Sequence, residues 1–320
     1  MKRATIKDIA RLAEVNISTV SRVLNGSAKI SEATRQRVEA AAQALDYQPN
    51  SAARAMVTQQ TRAFAFLVPT LDDPNVAVTA LGAEQQAQLY DYAMLVASYH
   101  VGEHESPDHF LAEHRVDGLI LMSPRHFARP YSRLPMVTLE ETPADNAQGG
   151  ALVAAHLQAL GHRRVACLGG LKDSPHSHQR FDSFTQQMRQ VHAEVHCQLG
   201  DWSAACGYQL AQQLLREKPD ITAIFAANDS VALGVLNALH SAGRRVPEDV
   251  SVCGFDDQAL AQYSWPPLTT VRQPLQRIGA SAFELLRSRM SKQATSTQQT
   301  LPAKLPVEFI LRQSTAPVTN

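Results

Sequence analysis

Thr5-Ile-Lys-Asp-Ile-Ala-Arg-Leu-Ala-Glu-Val-Asn-Ile-Ser-Thr-Val-Ser-Arg-Val-Leu24 is the stretch that decides how the chain begins. Its apolar residues recur at helical spacing, Ile6, Ile9, Ala10 and Ala13 in one stripe and Val20, Val23 and Leu24 in a second. A third stripe follows at Val38, Ala41, Ala42 and Leu45. Thr5 with Asp8 makes a capping box for the first helix, Asn16 can cap the second and Ser31 the third. Only Glu14-Val15-Asn16 separates the first two helices, so they must cross steeply, as in a helix-turn-helix. The second helix turns Ile17, Ser18, Ser21, Arg22 and Asn25 outward. Hydroxyls that meet phosphates and an Arg able to reach guanine O6 and N7 suit a DNA major groove. The same spacing also suits a small helical bundle with a polar surface.

Charge points the same way. Thirty Lys and Arg balance thirty Asp and Glu over 320 residues. Residues 1–60, however, carry nine basic and five acidic side chains, which leaves the remainder with an acidic excess of four. A basic segment on an acidic body implies a polyanionic partner for that segment alone. No run approaches the ~18 apolar residues of a membrane span, and the polar N-terminus does not read as a secretory signal, so a cytoplasmic protein is expected. Four cysteines, Cys167, Cys197, Cys206 and Cys253, include no Cys-x-x-Cys pair and are expected to be reduced and inert.

Pro49 interrupts the helical pattern, residues 50–57 read as a short helix capped by Asn50, and residues 58–61 as a linker. The period then changes. Continuous apolar runs at 63–68, 94–97, 118–122, 136–139, 164–168, 223–226 and 250–253 read as buried parallel strands. Helical stretches at 149–160, 184–191, 207–215, 230–241 and 278–290 alternate with them. Strand alternating with helix predicts doubly wound α/β layers, and about 260 residues suffice for two lobes. The polar stretch 291–300 reads as a surface loop.

Residue by residue, Thr5-Ile-Lys-Asp-Ile-Ala10, Val15, Ser18-Thr-Val-Ser-Arg-Val-Leu-Asn25, Ser31-Glu-Ala-Thr-Arg35 and Asp46-Tyr-Gln-Pro-Asn50 resemble the headpiece of the lactose-repressor family of bacterial transcription regulators. The resemblance continues through Asp145-Asn-Ala-Gln-Gly-Gly150, Gly161-His-Arg-Arg-Val165, Arg180, Phe184, Asn228-Asp229, Gly254-Phe-Asp-Asp257, Pro267-Leu-Thr-Thr270 and Gln273-Pro274. It implies an N-terminal all-α helix-turn-helix headpiece (1–49), a hinge helix and linker (50–60), and a two-lobed α/β effector domain of the periplasmic-binding-protein type (61–320). It implies that Ile17, Ser18 and Arg22 reach base edges and that Thr5, Thr19, Ser21 and Asn25 hold phosphates. It also implies a hinge helix, with Asn50 and Ala53, that enters the minor groove as a dimer pair, with Met56 as the apolar wedge where Leu is usual. Two further departures are Glu14, where Gly is common, and Asn16, where Ser is.

Carried over by position, Arg180, Asn228, Asp256 and Gln273 would bond effector hydroxyls, with Asp145 near the cleft. Bidentate Arg and carboxylate groups suit a polyol. In Gly200-Asp-Trp-Ser-Ala204, Trp202 matches a residue that stacks on galactosides in members of the family. Against that ligand, 100–115 and 125–134 are shorter than usual, and Asp72-Asp-Pro-Asn75 replaces a more apolar cleft loop. His192 with His196, and His176 with His178, lack a third ligand at metal-site spacing. Nucleophile-elbow, phosphate-loop and dinucleotide fingerprints are missing from the sequence, so neither catalysis nor a cofactor is expected.

The expected function is therefore sequence-specific repression of a carbohydrate-use operon. A homodimer would sit on an inverted-repeat operator and be released by a sugar, such as a galactoside. A lone hinge helix is too short to be stable, which favours the dimer; the chain lacks the Leu heptads through which a tetramer would form. A nucleoside or purine effector is a variant of this reading. A sugar-binding transport protein and an enzyme of sugar metabolism are its rivals.

Overall fold

The computed structural model describes residues 4–24, 30–47, 60–98, 116–123, 134–291 and 304–318. The chain divides into two compact units, Met1–Thr61 and Arg62–Asn320. In the first, α1 (Ile6–Leu12), α2 (Ile17–Leu24) and α3 (Glu32–Ala44) close on the three expected stripes. Ile9, Val20 and Val38 are fully buried at the centre, and Ile6, Leu24, Leu45 and Tyr47 pack around them. The Thr5 N–H and hydroxyl both donate to the Asp8 carboxylate, at 3.0 and 2.7 Å, and the expected capping box closes α1 at its start. Ser31 caps α3 by accepting from the Thr34 N–H. The carbonyl of Asn16 takes the Thr19 and Val20 N–H groups as α2 begins.

The second unit holds two parallel sheets of the same winding. One orders its strands β2-β1-β3-β4, from β1 (Ala63–Val68), β2 (Ala93–Ser98), β3 (Gly118–Leu121) and β4 (Met136–Thr138). The other orders them β6-β5-β7-β8, from β5 (Arg164–Leu168), β6 (Glu194–Gln198), β7 (Ala223–Ala226) and β8 (Ser251–Cys253). α4 (Pro74–Gln88) covers the first sheet. α5 (Asn146–Ala159), α6 (Pro175–Gln190), α7 (Ala204–Glu217) and α8 (Asp229–Ser241) cover the second. A two-stranded antiparallel ribbon of β9 (Thr270–Arg272) and β10 (Glu308–Ile310) adjoins it. α9 (Leu275–Met290) crosses back to the first lobe, where Ala282, Phe283 and Leu286 join Phe64, Phe66 and Ile120 in one core.

Several elements depart from the sequence reading. α6 begins nine residues before Phe184, because Pro175 suits a first helical position and its polar early turns mask the period. α4, β6 and the β9–β10 ribbon were not anticipated. α4 buries mostly small residues, and β6 is a polar edge strand. His192 lies in the turn beyond the C-cap of α6, with φ 55°, and His196 lies on β6, so the two do not share a helix face. Among the described residues there is no group of three or more potential metal ligands and no helix long and apolar enough to cross a membrane.

Candidate functional site

In the first unit, α2 presents Ile17, Ser18 and Arg22 to solvent, while Val20 and Val23 face the core. Ile17 is 45% exposed, an apolar residue left outside on an otherwise amphipathic helix. Thr5 is exposed at the N-terminus of α1, and Thr19 and Ser21 flank the exposed face, half-buried. Asn25, Asn50, Ala53, Met56 and the expected hinge helix lie outside the described residues. The turn between α1 and α2 passes through Glu14 at φ 51°, a left-handed conformation that favours Gly.

In the second unit, the carboxyl ends of β1, β5, β7 and β8 feed the loops that carry the polar residues between the lobes. This is where open α/β sheets place their ligands. Arg180, in the second turn of α6, is buried there. Its Nε donates to Asn146 Oδ1 at 2.8 Å, its Nη1 to the Ala227 carbonyl at 2.5 Å, and Nη1 lies 3.4 Å from Asp256 Oδ1. The guanidinium carbon stands 3.7 Å from the Phe255 ring centre and 5.5 Å from that of Trp202. Burial lowers the guanidinium pKa from its usual value, and Asp256, Asp229 and Asp73 oppose that shift.

Asp256 sits on the turn after β8 at φ 110°, which is strained for a residue with a side chain. Its carboxylate accepts from Gln273 Nε2 and from Asn75 Nδ2, each at 2.6 Å. Asn75 belongs to α4 in the first lobe, so this bond joins the lobes directly. Burial raises the Asp256 carboxyl pKa, against Arg180 and the two amides. Burial likewise raises Asp73, which feels both Asp256 and Arg180. Behind them, Asp229 accepts from Thr270 Oγ1 at 2.5 Å and the Gln258 N–H at 2.7 Å; burial pushes it well above the carboxylate range.

The sequence-derived residues thus divide. Arg180, Asp256, Gln273 and Trp202 come together at one place. Asn228 borders it, but its side chain caps α8 through the Val231 N–H and holds the Trp202 carbonyl. Asp145 caps α5 by accepting from the Gln148 N–H, with Lys304 Nζ 3.9 Å away. Four residues not proposed as effector contacts from the sequence complete the wall: Asn75, Asn146, Phe255 and His176, whose Nδ1 lies 3.2 Å from Asn146 Nδ2. Asn75 carried a signal in the polar replacement of the 72–75 loop. Asn146 stood next to the residue chosen, one position further into the helix.

Known proteins match both units. Residues 5–50 match the model described as bacterial regulatory proteins, lacI family, and residues 154–315 the periplasmic binding protein-like domain. The chain is 34% identical to the HTH-type transcriptional repressor PurR of Photobacterium profundum, over 90% of this chain and 92% of that one. It is 33% identical to the HTH-type transcriptional regulator CelR of Thermobifida fusca, over 98% of each. Among solved structures, the lac repressor dimer bound to operator and the anti-inducer ONPF matches with TM-score 0.82 and 28% identity, over 98% of this chain and all of that one. A transcriptional regulator CelR–cellobiose complex matches with TM-score 0.70 and 30% identity at the same coverage. The chain is a DNA-binding transcriptional regulator and belongs to the lacI family of bacterial regulatory proteins.

Proposed function

We propose that the chain represses a carbohydrate-use operon in the cytoplasm as a homodimer on an inverted-repeat operator, and that a sugar held between its lobes releases it. The observation that carries the effector half is the buried Arg180–Asp256 pair, 3.4 Å apart and braced by Asn146, Asn75 and Gln273. Fixed donors and acceptors side by side suit vicinal hydroxyls, and the faces of Phe255 and Trp202 suit the apolar side of a sugar ring. Asn228 and Asp145 act here mainly by positioning Trp202 and α5. The reading divides the chain into a headpiece (1–49), a hinge helix and linker (50–60) and an effector domain (61–320). Ile17, Ser18 and Arg22 read bases. Thr5, Thr19, Ser21, Asn25, Asn50 and Ala53 support the backbone contacts, and Met56 is the minor-groove wedge. Binding and release, with no turnover, is the whole of the proposed chemistry.

The resemblance to PurR over most of the chain favours one second reading, in which a purine takes the sugar's place. A thermal-shift screen over sugars, galactosides and cellobiose included, and over purines and nucleosides decides between them, since a ligand of the native state raises Tm. Binding to the protein's own promoter region, with and without the hit, tests the rest. Arg22→Ala is expected to abolish preference for that fragment over random duplex while the ligand-induced Tm rise persists. Arg180→Ala is expected to bind the fragment and ignore the ligand. A wild-type protein that prefers no fragment under any condition would overturn the reading.

A further inference from the structure

The second sheet places two thiols side by side. In the parallel pairing of β5 with β6, Cys167 lies directly opposite Cys197, so both side chains leave the sheet on the same face. Neighbouring strands run about 4.8 Å apart, within the roughly 4.4–6.8 Å between Cα atoms that a disulfide spans. The two residues differ in access. Cys167 is buried on the central strand among Phe181, Phe184 and Met188, and Cys197 is exposed on the edge strand. Thr185 of α6 lies over the pair, its Oγ1 3.6 Å from the Cys197 sulfur.

We propose that Cys197 and Cys167 form a hydroperoxide-oxidisable dithiol beneath α6, the helix that carries Arg180, with Cys197 the attacking and Cys167 the resolving sulfur. The neighbouring Cys167 thiol holds the Cys197 thiol down to about 7, with help from Thr185 and Arg189 and against burial, while burial raises Cys167 far above its usual value. Cys206, the other partly accessible thiol, is raised by burial. The thiolate is the nucleophile, so Cys197 reacts first. Its sulfur attacks one oxygen of hydrogen peroxide, the O–O bond breaks, and hydroxide leaves and takes up the thiol's proton as water. Cys197 is then a sulfenic acid. The Cys167 sulfur attacks it, the S–O bond breaks, and the departing hydroxide takes the Cys167 proton as a second water. Two thiols lose two protons and two electrons, and one peroxide becomes two waters. A dithiol reverses the bond by thiol–disulfide exchange at the exposed Cys197 sulfur.

The test treats reduced full-length protein with equimolar hydrogen peroxide, blocks the remaining thiols with N-ethylmaleimide and maps peptides without reductant. The expected product is a Cys167–Cys197 cross-link that dithiothreitol reverses, with Cys206 and Cys253 still free. Cys197→Ser is expected to give no cross-link. Cys167→Ala is expected to stop at a Cys197 sulfenic acid that dimedone traps. As a check that needs no variant, iodoacetamide at pH 7 is expected to label Cys197 of the wild type about 10-fold faster than Cys206. Equal labelling, an unreacted Cys197, or a Cys197 driven to sulfinic acid without a cross-link would each overturn the proposal.

Discussion

Glu14 shows what a single residue can add to a motif already recognised. Its sequence context marks it as a departure, since Gly is common there in the family, and it adds a negative charge beside the expected DNA face. The structure supplies a second consequence: φ is 51°, and the turn between α1 and α2 needs that conformation whatever side chain occupies it. A non-Gly residue in the left-handed region is disfavoured by roughly 1–2 kcal/mol, part of which Gly returns through its more flexible unfolded chain. Glu14→Gly is therefore expected to stabilise the first unit by about 0.5–1 kcal/mol, read as slower amide exchange at the buried Ile9 and Val20. Faster exchange would mean that the turn is held by something other than its backbone. At this scale the cleft was half legible. Arg180, Asp256, Gln273 and Trp202 were legible because the family resemblance carries them over by position. Asn146 and Asn75 were not, because an amide's role depends on which group it faces, and that is a tertiary fact.

Elements were legible where burial is two-sided. β1, β5 and β7 appear in the sequence as unbroken apolar runs and fold over the same residues. β6, Glu194-Val-His-Cys-Gln198, escaped because an edge strand needs no such run. α4 escaped because it packs through small residues, and the helix pairs make the reason plain. A Cβ on Gly82 would come within 2.0 Å of the Gln276 carbonyl oxygen, and one on Gly279 within 1.9 Å of that of Thr79, so α4 and α9 touch backbone to backbone. α5 and α6 do the same at Gly150, where a Cβ would stand 2.1 Å from the carbonyl oxygen of Arg180 itself. The backbone contact thus sets the height of the guanidinium in the cleft. Gly150→Ala is expected to push α6 away at Arg180 and to destabilise the second unit by about 2–3 kcal/mol, the range of core overpacking. Urea denaturation followed by the fluorescence of Trp202 in a Trp265→Phe background measures this. A loss below about 0.5 kcal/mol would show that the helices adjust without moving Arg180.

Across the second unit, the first lobe is completed by α9, which the chain reaches only after building most of the second lobe. The lobes are therefore tied by chain crossings near 139–145, 273–274 and 304–307, which constrain them to move about a common line. Direct side-chain bonding between the lobes at the cleft includes Asn75 to Asp256. Because that bond is charge-assisted and partly buried, it is worth about 1.5–3 kcal/mol, enough to shift an open–closed balance by roughly 10-fold or more. It also uses an oxygen of Asp256 that an effector would otherwise claim. Asn75→Ala is expected to open the ligand-free molecule, seen as a larger radius of gyration in small-angle X-ray scattering. Asn75→Asp, which sets a second carboxylate against Asp256, is expected to open it further. If both variants keep the wild-type radius, α9 and the crossings alone hold the lobes together, and an effector would have to act by reshaping the wall around Arg180 rather than by closing the cleft.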